Sequence, residues 1–276
     1  MDERLEAKQE ALQARLEGLG RVVVAYSGGV DSAFLAAAAH RALGSDALAV
    51  TAISPSLAAR ELDAAAALAR RCGWNHRTVE THEIDRPEYA RNGADRCYWC
   101  KTELLEVLTP LARESDAHVL VGTNLDDLGD YRPGLAAAKE NRALTPLADA
   151  GLTKRDIRVL SESLGLPTAA KPSSPCLASR FAYGVEVTSE GLRRIDQAEE
   201  AVRALGFQVF RVRDHGDLAR LEVEVEDMAR AAELREEIAK RLLELGFKYV
   251  ALDLVGFRSG SMNEVLSQPS LRFSTG

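Results

Sequence analysis

Residues 21–32 read Arg21-Val22-Val23-Val24-Ala25-Tyr26-Ser27-Gly28-Gly29-Val30-Asp31-Ser32. The β-branched run Arg21–Tyr26 has the continuous apolar character of a strand buried on both faces, not the alternation of a half-exposed one. An Ala-rich segment from Asp31 to Leu43 follows with helical character. The turn between them carries two glycines, which reach backbone angles closed to other residues and let a ligand approach the main chain. At a helix N-terminus the outward-pointing amides and the helix dipole favour an anion. Ser27 and Ser32 add hydroxyl donors. Asp31 is out of place in a pure anion site, and a Mg²⁺ shared with bound phosphates accounts for it. Read blandly, the stretch is a tight strand-to-helix turn with Ser and Asp as caps. It fits neither G-x-x-x-x-G-K-[ST] nor G-x-G-x-x-G.

The alternation continues outward from this turn. Strands are expected at Ala47–Ala52, near 75–81 and at His118–Val121, with helices over 56–72 and near 97–113. Repeated β-α units of this kind give a parallel sheet wrapped by helices, with ligands bound at the carboxyl ends of the strands. Before the first strand, Leu5, Leu12, Leu16 and Leu19 mark an amphipathic helix. A helix from Thr153 to Leu164, with Asp156 as part of a capping box, is stopped by Gly165 and Pro167. The fold class is therefore α/β: an N-terminal parallel-sheet domain over 1–170, a Pro/Ser/Gly-rich linker loop over 171–187, and a smaller α/β domain over 188–276. In the last, a helix (Ser189–Leu205), strands (Phe207–Arg213, Ala219–Val225), a long helix (Asp227–Leu245) and a strand (Tyr249–Leu254) are expected. The phrase Leu-Gly-Phe at 205–207 and again at 245–247 is thin support for an internal repeat.

The chain has 276 residues and a net charge of −7. That balance argues against a nucleic-acid backbone as partner. No apolar run approaches the ~20 residues that cross a bilayer, and the charged N-terminus lacks a signal-peptide core. A cytoplasmic protein is expected. Its four cysteines, Cys72, Cys97, Cys100 and Cys176, then read as thiols, not staples. Cys97 and Cys100 form a C-x-x-C, open to metal, cluster or redox use. Cys72, in a helix, reads as an inert core thiol.

With these blocks in place, Ser27-Gly-Gly-Val-Asp-Ser32 after Val-Val-Val-Ala-Tyr26 resembles the loop of the PP-loop ATP pyrophosphatases, which cleave ATP between the α- and β-phosphates. The resemblance implies that Ser27, Gly28, Gly29, Asp31 and Ser32 hold the pyrophosphate end of ATP. It places Gly122-Thr123-Asn124-Leu125-Asp126-Asp127 beside the nucleotide, with Gly122, Thr123 and Asp127 as contacts. A polar strand-end turn is an equally good reading of that block alone.

Asp95-Arg-Cys97-Tyr-Trp-Cys100-Lys101, Pro172-Ser-Ser-Pro-Cys176-Leu-Ala-Ser179-Arg180-Phe181, Arg211-Val-Arg213-Asp-His215 and Leu221-Glu222-Val223 extend the likeness over nearly the whole chain. They resemble one subfamily, the ATP-dependent sulfur transferases of the LarE family, which act in making a nickel-pincer nucleotide. The resemblance implies adenylation of a carboxylate of pyridinium-3,5-biscarboxylic acid mononucleotide, then sulfur transfer, with AMP and pyrophosphate released. Adenylation makes AMP the leaving group, so a sulfur nucleophile can attack.

Cys176, Cys97 and Cys100 are implied as catalytic. In one branch of the family the cysteine matching Cys176 gives up its own sulfur. In the other, three cysteines hold a [4Fe-4S] cluster, and the C-x-x-C here points to that branch. Cys176 lies among Ser173, Ser174 and Ser179 with Arg180 after it, and a neighbouring cation favours a thiolate. Ser179, Arg180, Arg211 and Arg213 are implied to bind substrate. Arg211 and Arg213 point to one face of a strand, as a phosphate clamp would require. Glu199 and Glu222, ahead of Glu200, are implied to bind a divalent metal, as is Asp31. The bland reading of these charges is a solvated face pairing with nearby ions. Lys101 is a surface lysine or a phosphate contact, and His215 a turn residue.

The implied cofactors are ATP, Mg²⁺ and the cluster. The implied partner is a small-molecule nucleotide, with neither nucleic acid nor membrane, and the chain is implied to form a homo-oligomer. Rival readings are a tRNA thiolase on the same loop, an amidating synthetase that would leave Cys176 idle, and a nucleotide-binding regulator without turnover.

Overall fold

In the computed structural model the described residues are 3–129, 133–172 and 174–258. Along the chain run α1 (Glu3–Leu19), β1 (Val22–Ala25), α2 (Val30–Leu43), β2 (Ala47–Ile53), α3 (Ala59–Arg71), β3 (Asn75–Glu80), α4 (Pro87–Ala90), α5 (Arg96–Glu114), β4 (His118–Leu120), α6 (Pro133–Glu140), α7 (Pro146–Asp149) and α8 (Lys154–Ser163). Then follow α9 (Ser189–Arg203), β5 (Phe210–His215), β6 (Leu218–Val223), α10 (Met228–Glu233), α11 (Arg235–Glu244) and β7 (Tyr249–Leu252). The chain divides into two compact units, one of Met1–Arg86 with Asp95–Ser174, the other of Pro87–Ala94 with Pro175–Gly276.

The first unit holds a four-stranded sheet in the order β3-β2-β1-β4, with every pair parallel. Its central strand explains the uninterrupted valine run. Val22 and Val24 face a core built with α1, α2 and α8, and Val23 faces a second core with Leu105, Leu108 and Ala112 of α5. A strand covered on both sides cannot alternate apolar with polar residues. The crossovers leave the carboxyl end of β1, where the glycine turn lies, beside the ends of β2 and β4. The expected capping box on α8 is present: Thr153 Oγ1 accepts from the Asp156 amide, and the Asp156 carboxylate accepts from the Thr153 amide.

The second unit has a three-stranded mixed sheet, β5-β6-β7, antiparallel between β5 and β6 and parallel between β6 and β7. Helix α9 packs on β5 and α11, and α11 packs on β7. Residues 87–94 join this unit through the Val187 amide on the Ala90 carbonyl and the Asn92 side chain on the Ala182 carbonyl, each at 2.8 Å. No pattern in the sequence marks that excursion. The single helix expected over 227–245 is two, α10 and α11, meeting at Leu234, whose ψ is 10°. Hydrogen bonds from Leu234 N to Arg230 O and from Ile238 N to Leu234 O run through the junction, so it is a flattened turn, not a full stop. The stretch expected as one long loop contains a short 3₁₀ turn at Leu177–Arg180, and another, Pro167–Ala170, precedes it.

Candidate active site

The glycine turn is built by conformation before chemistry. Gly28 has φ +73°, and a Cβ there would lie 2.9 Å from the Ala65 Cβ of α3. A side chain at Gly28 would be both strained and blocked. Gly29 is the N-cap of α2 and supplies no side-chain cap, so the first amides of the helix are left facing outward. The serines organise one another. Ser32 Oγ accepts from the Ser27 amide at 3.2 Å and donates to the Gly29 carbonyl at 3.2 Å, and the two hydroxyl oxygens lie 3.1 Å apart.

Gly122, just past β4, is brought against the same helix start. A Cβ on it would lie 3.0 Å from the Ser32 amide nitrogen and 3.1 Å from its Cα. The glycine is thus needed for the fourth strand to approach α2. Beyond it, the Asp127 carboxylate accepts from the Asn124 amide at 3.1 Å, and Asn124 Oδ1 accepts from the Asp127 amide at 3.2 Å. This reciprocal turn aims the Asn124 side chain at Asp31 Oδ1, 3.4 Å away. Ser27, Gly28, Gly29, Asp31, Ser32, Gly122 and Asp127 therefore stand around one helix N-terminus. Thr123 is buried beside them, its carbonyl accepting from the Ala148 amide.

Two lysines complete the surroundings, and the sequence reading missed both. Lys154 forms an ion pair with Asp31 Oδ2, so Asp31 here balances a cation. A lysine in the first turn of a helix opposes the helix dipole, a signal that its charge is wanted elsewhere. Lys171 donates to the Gly28 carbonyl at 3.0 Å and to Glu61 Oε2 at 2.6 Å. Arg158 of α8 holds the carbonyls of Ala169 and Lys171. Lys171 precedes a proline in an irregular stretch, and nothing local marks it. Ser173 lies outside the described residues; Ser174 donates to Glu61 Oε1 at 3.3 Å.

Cys97 and Cys100 sit on the first turn of α5, three residues apart and so on one face. Trp99 Nε1 donates to Asp95 Oδ2 at 2.9 Å, and the Tyr98 hydroxyl meets Glu140 at 2.5 Å, which braces the turn. Lys101 is half-buried. Burial pulls its amine below the usual lysine range, against the opposing fields of Cys100 and Cys97. None of the four cysteines, all described, is in a disulfide. Cys72 caps the C-terminal end of α3 and packs half-buried against the main core.

In the second unit Cys176 precedes the turn Leu177–Arg180. Arg180 is 2 % exposed and grips Glu199 through Nε at 2.9 Å and Nη2 at 3.0 Å. Arg213 grips Glu222 Oε2 through Nε at 3.0 Å and Nη2 at 2.8 Å, and Glu222 Oε1 accepts from Arg220. Arg211 stacks over the Phe257 ring. Arg211 and Arg213 share a strand face in register, but only Arg213 is buried. Glu200, next to Glu199, pairs with Arg203 at the surface. Among the described residues, no group of three or more His, Cys, Asp or Glu is placed to hold a metal ion.

A parallel sheet whose first strand ends in this serine–glycine loop, at an uncapped helix N-terminus beside a lysine-paired aspartate, defines a PP-loop nucleotide-binding protein. The family model described as asparagine synthase matches residues 5–97, from α1 to the first cysteine of the C-x-x-C. An uncharacterized protein of Synechocystis sp. is 44% identical over 267 residues, 96% of this chain and 100% of that one. The pyridinium-3,5-bisthiocarboxylic acid mononucleotide synthase of Lactiplantibacillus plantarum is 37% identical over 269 residues, 97% of this chain and 98% of that one. An uncharacterized protein of Methanocaldococcus jannaschii is 32% identical over 240 residues, 87% of this chain and 91% of that one. The chain belongs to the LarE family of PP-loop proteins. No helix among the described residues is long and apolar enough to cross a membrane.

Proposed function

We propose that the protein is an ATP-dependent sulfurtransferase that converts a carboxylate of pyridinium-3,5-biscarboxylic acid mononucleotide to a thiocarboxylate. The observation that carries this reading is the convergence of the Ser27–Ser32 loop, Gly122 and the Asp31–Lys154 pair on one helix N-terminus, in a chain similar throughout to a synthase named for that product. Amides of the loop and α2 bind the β- and γ-phosphates. Asp31 would hold a Mg²⁺, which would offset the charge of the phosphates, and Lys154 is placed to donate to the leaving pyrophosphate. A substrate carboxylate oxygen attacks the α-phosphorus and pyrophosphate departs. A sulfur nucleophile then attacks the acyl carbon and AMP leaves with the original oxygen.

Cys176 is proposed as the cysteine at the sulfur-transfer step. Cys97 and Cys100, two thiols on one helical turn, suit a soft iron–sulfur donor set. Cys176 is the proposed third ligand to a [4Fe-4S] cluster, which would supply the sulfur to be transferred. Ser179 and Arg211 are the proposed contacts to the substrate's phosphate; Arg211 lies half-buried on β5. A homo-oligomer in the cytoplasm, acting on a small-molecule nucleotide and not on nucleic acid, belongs to the same reading.

The test is anaerobic incubation with ATP and the biscarboxylic mononucleotide, following AMP, pyrophosphate and product mass. Equal AMP and pyrophosphate with an oxygen-to-sulfur mass change are expected. ATP binding without AMP would leave a regulator, and AMP with an amide product a synthetase.

A further inference from the structure

Arg180 has five N–H donors, and the structure gives every one of its three nitrogens a partner within its own unit. Nε and Nη2 take both oxygens of Glu199, and Nη1 faces the carbonyls of Pro175 at 2.6 Å and Cys176 at 3.2 Å and the Ser179 hydroxyl at 3.0 Å. The guanidinium thus spans the peptides on both sides of the Cys176 Cα. The Cys176 carbonyl also accepts from the Ser179 amide at 2.9 Å. Glu199 Oε1 accepts in addition from the Val212 amide of β5 at 3.4 Å, which ties the clamp to the sheet. A second guanidinium bonds the same turn, since Arg213 Nη1 donates to the Ser179 carbonyl at 3.1 Å while Nε and Nη2 are taken by Glu222.

We infer that Arg180 is a positioning residue that fixes the backbone of Cys176, with Glu199 as its buried counter-ion. The charge balance carries the point. Glu199 and Glu222 have side chains 5% and 0% exposed, each against a guanidinium itself 2% and 7% exposed. A divalent cation bound to either carboxylate would sit against that guanidinium. A substrate phosphate at Arg180 would have to compete with Glu199 and the Cys176 turn for its donors. Breaking either pair leaves an uncompensated buried charge. Lysine cannot replace the fork, because one ammonium cannot reach a bidentate carboxylate and two flanking carbonyls together.

The inference rests on the reading that Cys176 is the cysteine at the sulfur-transfer step, and the test separates the two. In the full chain, Arg180→Lys and Glu199→Gln are compared with the parent by hydrogen exchange over 174–181 and by iodoacetamide labelling of Cys176, read by peptide mass spectrometry. Product formation is measured beside them. Positioning predicts exchange faster by at least about tenfold in that segment, with an altered labelling rate. It also predicts kcat lower by on the order of 10²-fold, with the substrate KM changed less than about twofold. A KM raised at least about tenfold with exchange and labelling unchanged would overturn it, as would Mn²⁺ binding by the parent that Glu199→Gln abolishes. Should Arg180→Lys fail to fold, the paired Arg180→Met/Glu199→Leu replacement leaves no lone buried charge and takes the same measurements. Full product formation by Cys176→Ala would sink the cysteine's role, while the exchange and labelling results would still decide what Arg180 does.

Discussion

The Lys171 ammonium lies 2.6 Å from Oε2 of Glu61 and at the same time bonds the Gly28 carbonyl of the phosphate loop. One side chain thus joins α3, the loop and the chain segment that ends the first unit.

That pair has a pH signature. Burial pushes the Glu61 carboxyl up, but the hydrogen bond and charge of Lys171, with Arg60 and Ser174, more than offset it and hold it below its ordinary 4.5. The unfolded carboxyl then binds a proton more readily than the folded one. The pair's stabilisation is present above 4.5 and is lost as pH falls through the lower folded value. Lys171→Met is expected to cost about 1–2 kcal/mol near neutral pH. The difference from the parent should shrink in acid, as urea unfolding at both pH values would show. A constant difference across pH would mean that the charge pair is not its source.

Gly28→Ala should destabilise the protein by about 1–3 kcal/mol and remove pyrophosphate formation, because φ +73° and the 2.9 Å approach to Ala65 both oppose a methyl group. Ala65→Gly in the same chain relieves the clash but not the backbone strain. Partial recovery of the melting temperature is therefore expected. Full recovery would show that the conformation at Gly28 is unimportant.

Asp31→Asn is expected to lower pyrophosphate release by about 10²-fold or more, and Lys154→Met to raise the ATP KM by about tenfold. Initial-rate measurement with varied ATP and Mg²⁺ checks both. If Lys154→Met behaves as the parent, the ion pair is a surface contact only.

Single Cys97→Ser and Cys100→Ser replacements should each lower the iron content and visible absorption of anaerobically purified protein, while the α5 turn, braced by Asp95–Trp99 and Tyr98–Glu140, stays folded. Iron-free parent protein with full activity would exclude the cluster and leave Cys176 as the sulfur source.

Removal of the Lys8–Asp156 pair gives a separate acid-side reading. Burial pushes the Asp156 carboxyl up, but Lys8 and the Thr153 cap hold it below its ordinary 3.8. Lys8→Met is expected to cost well under 1 kcal/mol near neutral pH, with the loss vanishing below 3.8. Denaturant melts along a pH series would test it, and a loss that grows in acid would contradict it.

The residues that alone determined the first unit are those whose pattern is local. Val22–Val24 buried on both faces, the glycines of the turn and the Thr153–Asp156 cap each declare strand, turn or helix start through backbone preference and hydrophobic period. The same locality made the Ser27–Ser32 turn readable as an anion-binding loop, whereas the Gly122–Asp127 block was legible only through the resemblance to the PP-loop family. Tertiary structure decided which charges meet. Lys154 and Asp31 are 123 positions apart, and Lys171 and Glu61 110. Glu199 and Glu222 read from sequence as metal ligands or surface acids, yet each lies against a guanidinium brought by another element. An ion pair of that kind depends on packing distance and exclusion of water, and neither leaves a period or a motif in the chain.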